Sequence, residues 1–124
     1  MVSNNPKVEM VLAYIQEHCF GAFSLEEVSG SFNLSTSRLR HVVKTATGLP
    51  VSLYVKHLRL EKARELLAST FLSVKEIMVR VGCNDPSHFI RDFKAVYGMS
   101  PSRYRLFLLK KKIERRTQDS QWVV

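Results

Sequence analysis

The stretch Gly82–Arg105, GCNDPSHFIRDFKAVYGMSPSRYR, decides the fold of this chain. Asp85 and Pro86 are typical of the N-cap and the first turn of a helix, and Gly98 is typical of a helix end. Between them, apolar residues recur at helical spacing, which predicts one buried stripe. The stripe consists of Phe89, Phe93, Val96 and Tyr97. The opposite side is polar, and by itself this pattern favours an ordinary surface helix.

The composition limits the class of protein. The chain has 124 residues, of which 45% are hydrophobic and 24% charged, as expected for one globular domain or two very small ones. It contains no apolar run of about 18 residues and no N-terminal secretory pattern, so neither a membrane span nor export is expected. The two cysteines form neither a disulfide framework nor a C-x-x-C motif, which indicates a reduced, cytoplasmic protein.

The net charge of +8 indicates an acidic partner. It is unevenly distributed, since residues 1–31 carry one basic and four acidic residues, whereas residues 32–69 carry seven and two. Residues 70–104 contribute +2 and residues 105–124 contribute +4. Positive charge therefore begins near residue 32. Charge alone does not separate nucleic acid from an acidic protein.

An internal repeat relates the two halves of the chain. Ser24 and Ser73 each precede a capping-box pattern and lie 49 residues apart, and Gly48 and Gly98 lie 50 apart. Each half then reads as helix, turn and helix, with Asn33 or Gly82 in the turn and polar or basic residues on the outer side of the second helix. Two such patterns are hard to explain as solvated surface, so the repeat favours binding to double-stranded DNA.

The predicted fold is all-α, with seven helices that form two helix-turn-helix subdomains bridged by one long helix. The apolar face of the bridging helix shifts midway along its length, so it is expected to serve two cores. The predicted boundaries are residues 1–50 for the first subdomain, 51–69 for the bridging helix, 70–109 for the second subdomain and 110–124 for a flexible basic tail. Trp122 in that tail has no predicted role.

The same residues resemble the AraC/XylS family of bacterial transcription regulators. The resemblance rests on the run IMVRVGCNDPSHFIRDFKAVYGMSPSRYR in the second half and on single positions such as Leu39, Gly48 and Arg59 in the first. It implies recognition helices in successive major grooves of one duplex, and activation through contact with RNA polymerase. Val43 and Cys83 stand where the family usually has phenylalanine, and Met78 where alanine is usual.

The position of the first helix in the chain bears on its organisation. It begins within a few residues of Met1 and leaves no room for the effector-binding and dimerisation domain of many family members. A stand-alone regulator or a C-terminal fragment is therefore expected. With two recognition helices in one chain, a monomer can bind an asymmetric site near about 20 base pairs, unless a missing N-terminal domain dimerises it.

The outer sides of the two recognition helices supply the candidate site. Arg91 suits paired contacts with guanine, Ile90 a thymine methyl, and Asp92 either cytosine N4 or the orientation of Arg91. The predicted base contacts are Ser37, Arg38, Arg40, His41, Ser87, His88, Ile90, Arg91 and Asp92. The predicted phosphate contacts are Lys44 and Lys94, with the backbone N–H groups at Leu25 and Val74.

Two other classes of function are alternatives to DNA binding. One is a helical protein-interaction module that presents its basic face to an acidic partner. The other is an enzyme, which is not expected because the sequence has no glycine-rich phosphate loop, nucleophile elbow or metal-ligand spacing, and its four histidines are scattered. No cofactor and no metal are predicted.

Overall fold

The structure is a computed structural model that describes residues 5–119, with side chains to Thr117. Across that range the chain forms seven α-helices and no strand, as predicted. None of these helices combines the length and the apolar character that a bilayer crossing needs. The helices are α1 (Pro6–His18), α2 (Leu25–Ser31), α3 (Thr36–Thr47), α4 (Val51–Ser69), α5 (Val74–Val81), α6 (Pro86–Tyr97) and α7 (Pro101–Asp119).

Side-chain caps fix where the helices begin. The side chains of Ser35, Ser73 and Asp85 each accept a hydrogen bond from the backbone N–H three residues on. The capping box at Ser73 is complete, and its hydrogen bonds hold the pKa of Glu76 below the ordinary value. The predicted box at Ser24 forms only in part, because the Ser24 hydroxyl accepts from the third N–H but donates to the Glu26 carboxylate.

Two separate hydrophobic cores flank the bridging helix α4. The first core contains Val51 and Val55 from its N-terminal part, together with buried residues of α1, α2 and α3. The second contains Leu60, Ala63 and Leu67 from its C-terminal part, with buried residues of α5 and α6. This arrangement confirms the prediction that the two faces of α4 serve two cores.

Phe89 and Phe93 anchor α6 in the second core. Phe93 is fully buried, and its ring centroid lies 4.7 Å from that of Tyr97 and 5.6 Å from that of Tyr104. Arg64 of α4 covers the Tyr97 ring at 5.7 Å. The expectation that Val96 belongs to the buried stripe is wrong, since it is 46% exposed. The stripe turns away at that point because Tyr97 already fills the space between α6 and α7.

Val43 does not leave the first core empty. It is fully buried, and partly buried aromatic residues from outside α3 pack against the same core. Cys83 likewise packs against the second core, in which Met78 is buried. The smaller residues at these two positions are therefore accommodated by neighbours. The aromatic residues that pack against the first core are Tyr14, Phe20, Phe23, Phe32 and Tyr54.

The two halves touch outside α4 as well. Phe20, in the loop between α1 and α2, packs against both cores. The Arg59 side chain of α4 donates to the carbonyl oxygens of Cys19 and Gly21 in that loop, at 2.8 and 3.0 Å. Gly82, in the turn between α5 and α6, comes so close that a Cβ there would lie 2.5 Å from the Gly21 nitrogen. The halves are thus held by a loop contact in addition to the bridging helix.

The last helix is longer than predicted. Residues 110–119, expected as part of a flexible tail, continue α7. Five of these ten residues are lysine or arginine, which are good helix formers, and Lys111 lies over the Phe107 ring at 5.5 Å. Trp122 lies outside the described residues.

Candidate nucleic-acid interface

One side of α3 presents four polar side chains at the spacing i, i+3, i+4 and i+7. All four are exposed, and within residues 5–119 none of these side chains has a hydrogen-bond or ion-pair partner. Their donors are therefore available to a ligand. They are Ser37, Arg40, His41 and Lys44, called the α3 face below.

Arg38 lies to one side of the α3 face. It lines a shallow hollow with Lys7 and Val42, against the start of α1. Arg38 is therefore at the margin of the α3 face, one turn of helix before His41. A side chain in that position is better placed for the edge of an interface than for its centre.

A groove of about 650 Å³ runs beside the α3 face, between α2, α3 and α4. Arg40, Lys44 and Arg59 supply its cations, and Leu25, the first residue of α2, forms part of its wall. The backbone N–H groups of a first helical turn have no partner within the helix. The groove thus brings together two of the predicted phosphate contacts, Leu25 and Lys44.

The second recognition helix, α6, repeats this arrangement. Ser87, Ile90, Arg91 and Lys94 have the same spacing as the α3 face and are all exposed. They are called the α6 face. Each position lies 50 residues after its counterpart on α3, with isoleucine in place of Arg40 and arginine in place of His41. The two faces are therefore matched in geometry but differ in the chemistry that they offer.

His88 and Asp92 lie beside the α6 face, toward α4. They line a groove of about 360 Å³ with Lys56 and Arg59. The Nδ1 atom of His88 is 3.0 Å from the Oδ2 atom of Asp85, the N-cap residue. This contact ties His88 to the start of its own helix.

Asp92 is held from two sides. Its Oδ2 atom is 3.1 Å from Nζ of Lys56 on α4, and its Oδ1 atom is 3.6 Å from Nε of Arg91. Its side chain is only 19% exposed, whereas that of Arg91 is 67% exposed. Of the two roles predicted for Asp92, this geometry suits the orientation of Arg91 better than a direct contact with a base.

The second half has its own candidate phosphate contacts. Val74 is the first residue of α5, directly after the Ser73 cap, as Leu25 is the first residue of α2 after Ser24. Lys94 is exposed in the last turn of α6.

Neither thiol has the features of a reactive site. Cys19 is fully buried, and burial raises the pKa of its thiol, although the positive charge of Arg59 acts in the opposite direction. Burial likewise raises the pKa of Cys83. Across residues 5–119, no group of three metal-ligating side chains comes together.

The sequence pattern did not identify the cations on elements next to the recognition helices. Lys56 and Arg59 project from the bridging helix, and the sequence pattern gave neither of them a place in the interface. Arg105 donates to the carbonyl oxygens of Leu67, Leu72 and Thr70 and so holds the loop before α5. Such long-range pairs join residues about 40 positions apart, and no local pattern reports them.

Comparison with known proteins identifies the class. The model of a family described as "Helix-turn-helix domain" matches residues 28–106. A relative from Enterobacter sp., "HTH-type transcriptional activator RhaS", is 35% identical over 103 residues, or 83% of this chain. The RhaS relative from Salmonella schwarzengrund is 36% identical over the same length. This chain spans 37% of the length of each of these relatives.

Solved structures agree. The C-terminal domain of AraT, a response regulator from Geobacillus stearothermophilus, is 36% identical, with a TM-score of 0.75 over 85% of this chain and 88% of that one. The DNA-binding domain of AdpA, solved with a target DNA, has a TM-score of 0.78 over 86% of this chain and 96% of that one. At 23% identity the AdpA domain shows the fold alone.

The fold and the matched faces are thus those of a helix-turn-helix DNA-binding domain. The chain belongs to the AraC/XylS family of transcription regulators. Its matched part is accordingly a helix-turn-helix DNA-binding domain of that family, which is a family of transcription regulators and not a class of enzymes.

Proposed function

We propose that this chain binds an asymmetric duplex site of about 20 base pairs as a monomer, with α3 and α6 in successive major grooves. The observation that carries the proposal is the pair of matched faces on α3 and α6. Both are exposed, and each of the two helices packs into a core to which the bridging helix contributes. The contact between the α1–α2 loop and Gly82 supports a fixed relation between the two faces.

The two faces differ in the bases that they suit. On α6, Arg91 is the leading base contact, because a guanidinium can donate two hydrogen bonds to guanine O6 and N7, and Ile90 suits a thymine methyl. On α3, Ser37 and His41 suit base edges. Arg40 shares its groove with Leu25 and Lys44, which favours a phosphate role for it. Arg38 and His88 are assigned to the edges of the two interfaces.

Phosphate contacts fix the register of the protein on the duplex without reading its sequence. Lys44 and Lys94 supply point charges for this purpose. The N–H groups of Leu25 and Val74 lie at the starts of α2 and α5, where the helix dipole also favours an anion. The equivalent position of these two residues in the repeat supports the same role for both.

We also propose that the regulator activates transcription through contact with RNA polymerase, in the cytoplasm where bacterial DNA lies. Support comes from the RhaS relatives, whose names describe activators, at 35 and 36% identity over the DNA-binding part. Transcription in vitro from a promoter that carries the selected site tests this step. A rise in transcript on addition of the protein is expected, and a fall would contradict activation.

Selection from random duplexes tests the DNA-binding proposal most directly. Two conserved half-sites, their centres separated by about one helical turn of 10–10.5 base pairs, are expected. Sedimentation of the protein with one such duplex is expected to give one chain per duplex. Two chains per duplex would contradict monomeric binding. No preference over scrambled DNA would instead favour the interaction module that presents its basic face to an acidic protein.

A further inference from the structure

The part of α7 beyond the family match carries a second surface. The family model ends at residue 106, whereas α7 continues to Asp119. Leu106, Leu109 and Ile113 recur at i, i+3 and i+7 along this extension and are 60, 47 and 63% exposed. We call them the α7 stripe. Its spacing is that of the a and d positions of a coiled coil.

The flanks of the α7 stripe are basic. With Leu106 and Ile113 at position a and Leu109 at position d, Lys110 falls at position e and Lys112 at position g. Residues at e and g face the flanks of a partner helix and decide which partner is accepted. The described chain therefore presents a short helical seam with cations on both edges.

Apolar surface continues from the stripe onto the body of the domain. Phe71, in the loop between α4 and α5, is fully exposed, and it lines a groove of about 140 Å³ with Leu67, Leu109 and Lys112. That groove lies between the end of α4 and α7 and has room of the order of one aliphatic side chain. A partner helix on the stripe could insert one side chain there.

We propose that the α7 stripe and the groove beside Phe71 dock an acidic amphipathic helix of another protein, with leucine-like residues along its seam and glutamate or aspartate on its flanks. Charge complementarity carries the choice of occupant. A second copy of this chain would place Lys110 against Lys110 and Lys112 against Lys112 in an antiparallel pair, which is unfavourable. Opposite charges on the partner turn the same positions into attractions.

DNA and lipid fit this surface less well. A duplex would meet the cations but would leave the three aliphatic side chains without an apolar partner. A membrane surface would cover Leu106, Leu109 and Ile113 but presents no discrete side chain for the groove beside Phe71. The groove beside Phe71 is also concave, which suits an inserted side chain.

A pair of designed peptides tests the proposal on the full chain. Both have about three heptads with leucine at a and d; one carries glutamate at e and g, and the other lysine. Binding to the protein without DNA is measured by fluorescence anisotropy, because the lysine peptide would itself bind a duplex. We expect the glutamate peptide to bind about tenfold more tightly than the lysine peptide, a difference in affinity that the flanking charges set.

Variants separate the stripe from general basic charge. Leu109→Ser and Ile113→Ser are expected to weaken binding of the glutamate peptide about tenfold. Val79→Ser, at a residue of α5 that is 72% exposed and lies outside the stripe, is the matched control and should leave it unchanged. The double variant Lys110→Glu with Lys112→Glu should reverse the preference between the two peptides.

Other outcomes overturn the proposal. The first two are equal affinity for the two peptides and affinity for the glutamate peptide that Leu109→Ser leaves unchanged. The third is self-association of the wild type that Leu109→Ser abolishes. The fourth is displacement of the labelled glutamate peptide by phosphatidylglycerol vesicles but not by unlabelled glutamate peptide. Specific DNA binding by Leu109→Ser should match the wild type, which shows that the variant folds. Loss of peptide binding in a variant that still binds DNA therefore leaves the proposed DNA-binding function intact.

Discussion

Lys56 on the bridging helix lies 3.1 Å from Asp92 on the second recognition helix. This ion pair joins α4 to α6 on the side next to the α6 face. Because Asp92 also lies 3.6 Å from Arg91, the pair connects the bridging helix to the leading base contact. The orientation of the Arg91 side chain therefore depends on Lys56, which is not on the recognition helix.

Asp92→Asn is expected to relax discrimination at the base that Arg91 reads, by about 0.5–1 kcal/mol, because the neutral amide holds the guanidinium less firmly. The free energy of unfolding should fall by less than about 1 kcal/mol, since the pair is partly exposed. Competition gel shifts with single-base variants of the selected site measure the discrimination.

Lys56→Gln is the control for this variant, because it breaks the same ion pair but leaves the carboxylate beside Arg91. It should reproduce part of the loss at the same base position. If Asp92 contacts a cytosine itself, Asp92→Asn will alter the base preference at a different position of the site from Arg91→Ala. Lys56→Gln will then alter the base preference at no position. That pattern would contradict the positioning role.

Arg91→Ala and Lys94→Ala separate base contacts from phosphate contacts on one helix face. Arg91→Ala should lower specific affinity by about 1–3 kcal/mol and relax one base position. Lys94→Ala should weaken specific and random DNA alike and reduce the dependence of log affinity on log salt by about one. Titrations at several salt concentrations measure both quantities. Equal losses on specific and random DNA for both variants would contradict this division of roles.

The sequence was enough to predict the fold because the determinants of the helices are local. Caps such as Ser35 and Asp85, the left-handed turn residues Asn33 and Gly82, and the change of apolar face along α4 all act within a few residues. The structure gives Asn33 a φ of 53° and Gly82 a φ of 84°, as a tight helix–helix turn requires. The internal repeat, with its spacing of 49 and 50 residues, then identified the two halves as copies.

The candidate site was predictable in its faces but not in its surroundings. Helical spacing placed Ser87, His88, Arg91 and Asp92 on the outer side of α6, and all of these except Asp92 are exposed. The same spacing did not reveal that Asp92 turns toward Lys56, because that choice depends on the packing angle of α6 against α4. Which base or phosphate each residue contacts remains a prediction.

Arg105→Lys tests how the second half is held together. The guanidinium of Arg105 donates to three carbonyl oxygens around the end of α4, which otherwise lack a helical partner. Lysine keeps the charge, but its single ammonium group cannot reach all three acceptors. The free energy of unfolding should therefore fall by about 1–3 kcal/mol. Urea denaturation followed by circular dichroism measures it. Arg103→Lys, at an exposed residue of the same helix, is the control and should be within about 0.5 kcal/mol of the wild type.

The two thiols provide a test by pH. Burial raises the pKa of both Cys19 and Cys83 above the ordinary value of 9.0, so the folded protein holds less thiolate than the unfolded chain. Stability linked to these groups is fully present below pH 9.0 and is lost as the pH rises through the folded values. Iodoacetamide at pH 8 should therefore alkylate the folded protein much more slowly than the chain in urea. Similar alkylation rates in both conditions would show that the thiols are not buried and that their pKa is not raised.

Gly82→Ala tests the contact between the two halves. Gly82 and Gly98 have nearly the same left-handed conformation, with φ of 84° and 82°. A Cβ at Gly98 meets nothing within 4 Å, whereas one at Gly82 would lie 2.5 Å from the Gly21 nitrogen and 3.2 Å from its Cα. The loop cannot retreat freely, because Arg59 holds the carbonyl oxygen of Gly21.

Gly98→Ala is therefore the matched control and should cost about 1 kcal/mol of unfolding free energy, for backbone strain alone. Gly82→Ala should cost about 2–4 kcal/mol, because overlap between backbone atoms adds to the same strain. Since the overlap pushes the two halves apart, Gly82→Ala should also weaken binding to a duplex with both half-sites more than to a duplex with one. Equal costs for the two variants, with no change in that ratio, would show that the loop and the turn do not set the distance between the recognition helices.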